Sequence, residues 1–148
     1  MKVKTTYLQM LARPERVVPP PRKGLTVVHA RKPTVAYYRF LYDAVGRDYD
    51  WTSRKRLSDA ELAALLHDSR LEVHVLTADG VPAGFAELDR RVEGEIELVQ
   101  FGLMPEFIGQ GLASISYSGP STRRSATAPG ASGCTHAPRT TRPLCRIT

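Results

Sequence analysis

Cysteine is scarce in this chain: only Cys134 and Cys145 occur among 148 residues, with no CxxC pair and no histidines at zinc spacing, since His136 alone does not complete a ligand set. Neither a disulfide framework nor a structural metal is therefore expected. Long apolar runs are missing too. Nothing approaches the roughly 18 residues that cross a bilayer, and no charged N-terminal segment leads into a continuous apolar stretch. A soluble, cytoplasmic protein with no membrane partner is the expectation. Acidic residues disappear after Glu106, whereas Arg123, Arg124, Arg139, Arg142 and Arg146 all follow it, so the formal net charge of +6 leaves only +1 for residues 1–113. The basic balance belongs to the tail, which makes nucleic acid an unexpected partner of the remainder.

What is present suits one α/β (α+β) domain with a core, the length being too short for two ordinary ones. Residues 1–23 form an N-terminal segment in which Pro14 and the Pro19, Pro20, Pro21 run exclude helix interior and central strand. The run GLTVVHA at 24–30 has the β-branched density of a first strand. Thr34 is placed to cap a helix over 35–45, where Tyr38, Leu41, Tyr42 and Val45 recur at helical spacing and Gly46 takes the position favoured for a terminating glycine. Ser58 and Glu61 form a capping box ahead of Leu62, Ala63, Leu65 and Leu66, which predicts a second helix of about three turns. His67 near its end reads as a helix-terminus residue. Alternation over 71–78, the turn pair Asp79 and Gly80, and a return over 81–89 predict a hairpin. A polar turn at 90–94 then leads to a third strand. Between the helices, Tyr49, Trp51 and Arg54 either line a cleft for an amine or form an ordered surface loop.

The stretch 95–113, EIELVQFGLMPEFIGQGLA, is where chemistry is expected. Val99, Phe101 and Leu103 alternate with Gln100 and Gly102, Pro105 ends the strand, and Gly109 and Gly111 permit close backbone approach. A strand that runs into such a turn can present successive backbone N–H groups to a pyrophosphate. Four segments, RFLYDAVG at 39–46, DYDW at 48–51, PAGFAEL at 82–88 and FGLMPEFIGQGL at 101–112, resemble the GCN5-related N-acetyltransferase (GNAT) family over residues 5–113. The glycine turn is similar to that family's coenzyme A loop, with Glu106 standing where Gln or Arg is usual.

That resemblance implies a truncated GNAT-like fold: a strand, two helices and an antiparallel three-strand meander over residues 24–113. It implies an acetyl-CoA-dependent N-acetyltransferase acting on a primary amine of a small molecule or peptide. Backbone groups of Phe101, Gly102 and Leu103 would pair with the pantetheine arm, and amides of Ile108, Gly109, Gln110, Gly111, Leu112 and Ala113 would hold the pyrophosphate. Glu97, with Glu87 second, would help to deprotonate the amine; Tyr49, Trp51 and Arg54 would border the acceptor. The tyrosine that commonly protonates the leaving thiolate would lie beyond 113, and Tyr117 is not assigned that role.

From Ser114 the periodicity stops and Ser, Thr, Arg, Pro and Gly dominate, a composition expected to be disordered. Joining the third base of each codon to the first two of the next gives another reading of 133–148. Within the degeneracy of the code it permits VHTCTxDHPAALPNY, a string similar to the later part of the same family. A frameshift near Ala113 or Ser114 would explain both observations and would leave activity impaired. The alternatives are a non-catalytic CoA-binding remnant and a basic nucleic-acid-associated protein.

Overall fold

The computed structural model describes residues 22–113. They form a mixed α+β unit in the order β1 (Leu25–His29), α1 (Val35–Gly46), a 3-10 turn (Arg47–Tyr49), α2 (Asp59–Leu66), β2 (Leu71–Ala78), β3 (Val81–Asp89), β4 (Glu97–Leu103) and a second 3-10 turn (Pro105–Phe107). The expected meander is present, and β1 joins it. All neighbours in the four-stranded sheet β1-β2-β3-β4 are antiparallel.

Local chemistry accounts for the elements. Thr34 caps α1 by accepting a hydrogen bond from the Tyr37 amide at 3.3 Å, satisfying one of the donors a helix start leaves open. Tyr38, Leu41, Tyr42 and Val45, spaced three and four apart, are the buried stripe of that helix. Ser58 and Glu61 make the reciprocal capping box, with the Ser58 amide donating to Glu61 Oε2 at 2.8 Å. The second helix is nevertheless only eight residues long, shorter than the three turns expected. His67 is its C-cap, and Asp68 Oδ1 then accepts from the Arg70 amide at 2.9 Å, turning the chain towards β2. Asp79 and Gly80 both have positive φ, 50° and 85°, as a two-residue hairpin turn requires.

Both helices cover one face of the sheet. Tyr38, Leu41, Tyr42, Val45, Leu62 and Leu66 pack with Val73, Val75 and Phe85 in one buried cluster. Burying a side chain of this size stabilises by about 1.5–3 kcal/mol, so the stripe on α1 is a main anchor of helix to sheet. Gly46 departs from its expected role. Its φ of −87° is ordinary helical backbone, and the reason for glycine is space: a Cβ would stand 2.6 Å from Trp51 Cε3. The left-handed residue comes later, at Asp50 with φ 53°.

The opposite face carries two smaller clusters, Leu76 with Ala83 and Leu112, and Ala86 with Leu88 and Leu98. Two register shifts shape it. Leu76 pairs with Gly84 and Thr77 with Pro82, which makes Ala83 the extra residue in β3; Leu88 pairs with Leu98 and Glu87 with Gln100, which makes Val99 the extra residue in β4. The second shift breaks the alternation expected of Val99, Phe101 and Leu103. Leu98 takes the buried place alongside Phe101, while Val99 stands out of the ladder.

Candidate functional site

β4 is one of the two edge strands among the described residues, β1 being the other, so its outer backbone groups face away from the ladder. Beyond Leu103 the Met104 amide still donates to the Ala83 carbonyl at 2.8 Å, and Pro105 starts a tight turn. The chain then passes through two left-handed glycines, Gly109 at φ 83° and Gly111 at φ 72°. Side chains are strained at such angles, which explains the residue type. A Cβ on Gly109 would meet nothing within 4 Å, so the turn is open on that side. Three contacts hold it: Gln110 Nε2 donates to the Glu106 carbonyl at 3.0 Å, Arg22 Nη1 donates to the Gln110 carbonyl at 3.1 Å, and Leu112 is buried against Leu76 and Ala83. An edge strand unpaired on its outer side among the described residues, ending in an open turn of this kind, can take an extended chain ending in phosphates.

A polar centre lies on the helical face of the same sheet. Glu87 is 0% exposed. The Tyr38 hydroxyl donates to its Oε2, and Arg54 Nη2 pairs with its Oε1. Burial, followed by the negative charge of Glu87, pushes the Tyr38 hydroxyl far above its usual range. For Arg54 burial alone would lower the pKa, but the hydrogen bond and charge of Glu87 outweigh it and the guanidinium is held protonated more firmly. Next to this group the Tyr42 hydroxyl lies 3.1 Å from Ser53 Oγ and accepts from the Arg54 amide at 3.3 Å, while Gln100 Nε2 donates to Ser53 Oγ at 3.4 Å. Gln100 belongs to β4 and pairs with Glu87 across the ladder. The centre and the bulge at Val99 therefore share one level of the sheet.

The residues singled out from sequence separate into distinct environments. Phe101, Gly102 and Leu103 close β4, and Gly102 is the point where α1 approaches it, because a Cβ there would collide with Val45 Cγ1. Glu97 is exposed at the start of β4 opposite Asp89, while Glu87 is enclosed. Trp51 packs on Tyr42 and Phe85 at ring separations of 5.3 and 6.2 Å. A shallow depression between α1 and the following loop is lined by Tyr38, Tyr42, Arg54 and Leu62, and neither Tyr49 nor Trp51 is among its lining residues. Sequence reasoning did not reach Tyr38 or Arg22. Tyr38 fits the apolar stripe of α1 so well that its hydroxyl gives no separate signal, and Arg22 sits in a proline-rich stretch far from the turn it touches. Cys134, Cys145, His136 and Tyr117 lie outside the described residues. Within the described residues no helix is long and apolar enough to cross a membrane.

No protein-family model and no curated protein sequence matches the chain. Among solved structures, a GCN5-related N-acetyltransferase from Kribbella flavida is similar, with a TM-score of 0.54, 17% sequence identity, and coverage of 88% of this chain and 46% of that one. The chain thus spans about half the length of the solved structure that it matches. At that identity the likeness concerns architecture, and the architecture is GNAT-like.

Proposed function

We propose that the chain carries the thioester-binding half of an N-acetyltransferase, using acetyl-CoA and a primary amine of a small molecule or protein. The observation that carries this reading is the outer edge of β4, unpaired among the described strands and bulged at Val99, running into the turn of Gly109 and Gly111. Its residues fit the group: the outer edge of β4 is open among the described strands, and the turn offers backbone amides where a Cβ at Gly109 would meet no atom within 4 Å. Phe101, Gly102 and Leu103 would hold the extended arm and the turn of Gly109 and Gly111 the pyrophosphate, while the Ile108 amide expected to join them already donates to the Pro105 carbonyl at 3.3 Å. Bound acetyl-CoA would supply an activated acyl group.

The chain's own residues then have unequal parts. Glu97 stands exposed on β4, where its carboxylate can take a proton from an ammonium through water. Glu87 has both oxygens occupied by Tyr38 and Arg54, so it serves to position Arg54 at the edge of the depression. Arg54 borders any acceptor that enters there. A second reading, a CoA-binding remnant without turnover, is favoured by Glu87, a carboxylate whose two oxygens are already engaged by Tyr38 and Arg54.

Calorimetric titration with CoA, joined to an assay of thiol release from acetyl-CoA with a panel of amines, tests both readings. Saturable CoA binding with a dissociation constant of roughly 0.1–1 mM is expected, several kcal/mol short of nanomolar affinity, together with little turnover. Absence of saturable binding at millimolar CoA overturns the proposal, and rapid thiol release overturns the remnant reading.

A further inference from the structure

We propose that Arg22, which precedes β1, is a phosphate-binding residue of the glycine turn that follows β4. The inference rests on the acetyltransferase reading for the identity of the ligand, but its geometry stands apart from that reading. In the turn itself, residues 104–113, the sole charged side chain is Glu106. Backbone amides can orient a phosphate, yet an exposed turn with net negative charge holds a dianion poorly without a cation close by. The similarity noted in the sequence places Glu106 where a Gln or Arg would be usual, so the turn lacks a positive residue of its own.

Arg22 reaches it from the other end of the described chain. Its Nη1 donates to the Gln110 carbonyl at 3.1 Å, and Nη2 stands 3.7 Å from where a Cβ on Gly111 would be. The route is fixed by the sheet. Leu25 pairs with Ala78 and Leu103 with Gly84, so the start of β1, the β2–β3 hairpin and the end of β4 share one end of it. The Leu25 amide donates to the Arg22 carbonyl at 3.1 Å and the Asp79 amide to the Gly24 carbonyl at 2.7 Å, fixing the backbone from which Arg22 extends. On the turn's side, buried Leu112 joins Leu76 and Ala83 in a cluster against which Leu25 and Val27 of β1 also pack, tying the turn and β1 to one apolar face of the sheet.

Arg22 is exposed, and among the described residues it forms no ion pair. One guanidinium nitrogen is occupied by the carbonyl between the two left-handed glycines, and the planar fork leaves further donors for a phosphate oxygen. Arginine suits both tasks at once, since it can bridge a backbone carbonyl and an anion, whereas lysine offers a point charge without the fork.

The test titrates the full chain, as wild type, Arg22→Gln and Arg22→Lys, with CoA and separately with inorganic pyrophosphate, and follows binding calorimetrically at low and moderate salt. Gln removes the charge and is too short to reproduce the Nη1 contact, whereas Lys keeps the charge, so the Lys variant and the salt dependence separate loss of charge from loss of that hydrogen bond, and matched thermal unfolding curves verify the fold. Expected is a loss of about three- to tenfold for Arg22→Gln with both ligands, a smaller loss for Arg22→Lys, and a weaker salt dependence in the Gln variant. Equal affinities for wild type and Arg22→Gln overturn the assignment while leaving the acetyltransferase reading intact. Arg22-dependent binding of pyrophosphate without binding of CoA supports the assignment and removes that reading. Binding of neither ligand overturns both.

Discussion

Glu87 shows how one residue can change meaning between sequence and structure. In the strand pattern it is a carboxylate between apolar neighbours, but α1 brings the Tyr38 hydroxyl onto it and the loop after Trp51 brings Arg54. A buried carboxylate persists in this setting because both oxygens are bonded, not because the pair is a large source of stability. Removing one partner should therefore cost more than removing all three. Arg54, with a side chain 16% exposed, is the accessible member. Arg54→Ala leaves Glu87 with an uncompensated charge and should destabilise by about 3 kcal/mol, the lower end of the range for broken buried pairs. A triple replacement, Tyr38→Phe with Arg54→Met and Glu87→Leu, should recover most of that loss. Urea unfolding midpoints measure both, and a triple variant less stable than Arg54→Ala would show that the group contributes net stability.

At the scale of elements, β1 and β2 are joined by a titratable contact. His29 and His74 are register partners whose rings stack at 4.7 Å, and Glu72 Oε2 lies 2.9 Å from His74 Nε2 while Glu72 Oε1 pairs with Arg90 Nε at 2.9 Å. Burial and then the neighbouring His74 lower the His29 pKa below 6.5, against an opposing pull from Glu72 that exceeds the further lowering by Arg31. The unfolded chain therefore binds a proton more readily than the folded one at this position, so stability increases with pH there. Its contribution is complete above the unfolded value of 6.5 and is lost as pH falls from there towards the depressed folded value. Urea midpoints measured from pH 7.5 down to pH 5.5 should fall, and the fall should be shallower in His29→Gln. An unchanged slope in that variant would assign the pH dependence to other groups.

Much at this scale was legible in the sequence because each element has its own local signal. The periodic stripe on α1, the Ser58–Glu61 box and the Asp79–Gly80 turn all depend on neighbours within a few residues, and all are found where expected. What the sequence did not disclose depends on distant partners. The bulges at Ala83 and Val99 exist only relative to the opposing strands. Gly46 reads as a helix stop because its contact with Trp51 is invisible until the chain turns back. For the candidate site, the glycine turn was legible from backbone requirements alone, but Arg22 at its rim and Tyr38 at Glu87 were not, since both arrive through tertiary packing.

At the scale of the whole molecule, the sheet ends at β4 among the described residues, and the structure it resembles is nearly twice as long as this chain. Among the described residues a strand edge and a turn are what would hold the cofactor, and each tenfold in affinity corresponds to about 1.4 kcal/mol. The shifted-register reading of residues 133–148 makes this testable. Inserting one nucleotide near codon 113 places the downstream gene in the alternative frame, where the translated string resembles the later part of the family. If that reading is right, the reframed product should bind CoA at least tenfold more tightly than the 148-residue chain and release thiol from acetyl-CoA when an amine is supplied. Sequencing the locus gives an independent check, since early stop codons in the shifted frame would end the idea. Deleting residues 114–148 from the existing chain completes the comparison: CoA binding should be unchanged, whereas salt-dependent nucleic-acid binding that vanishes with the five tail arginines would move the function to the tail.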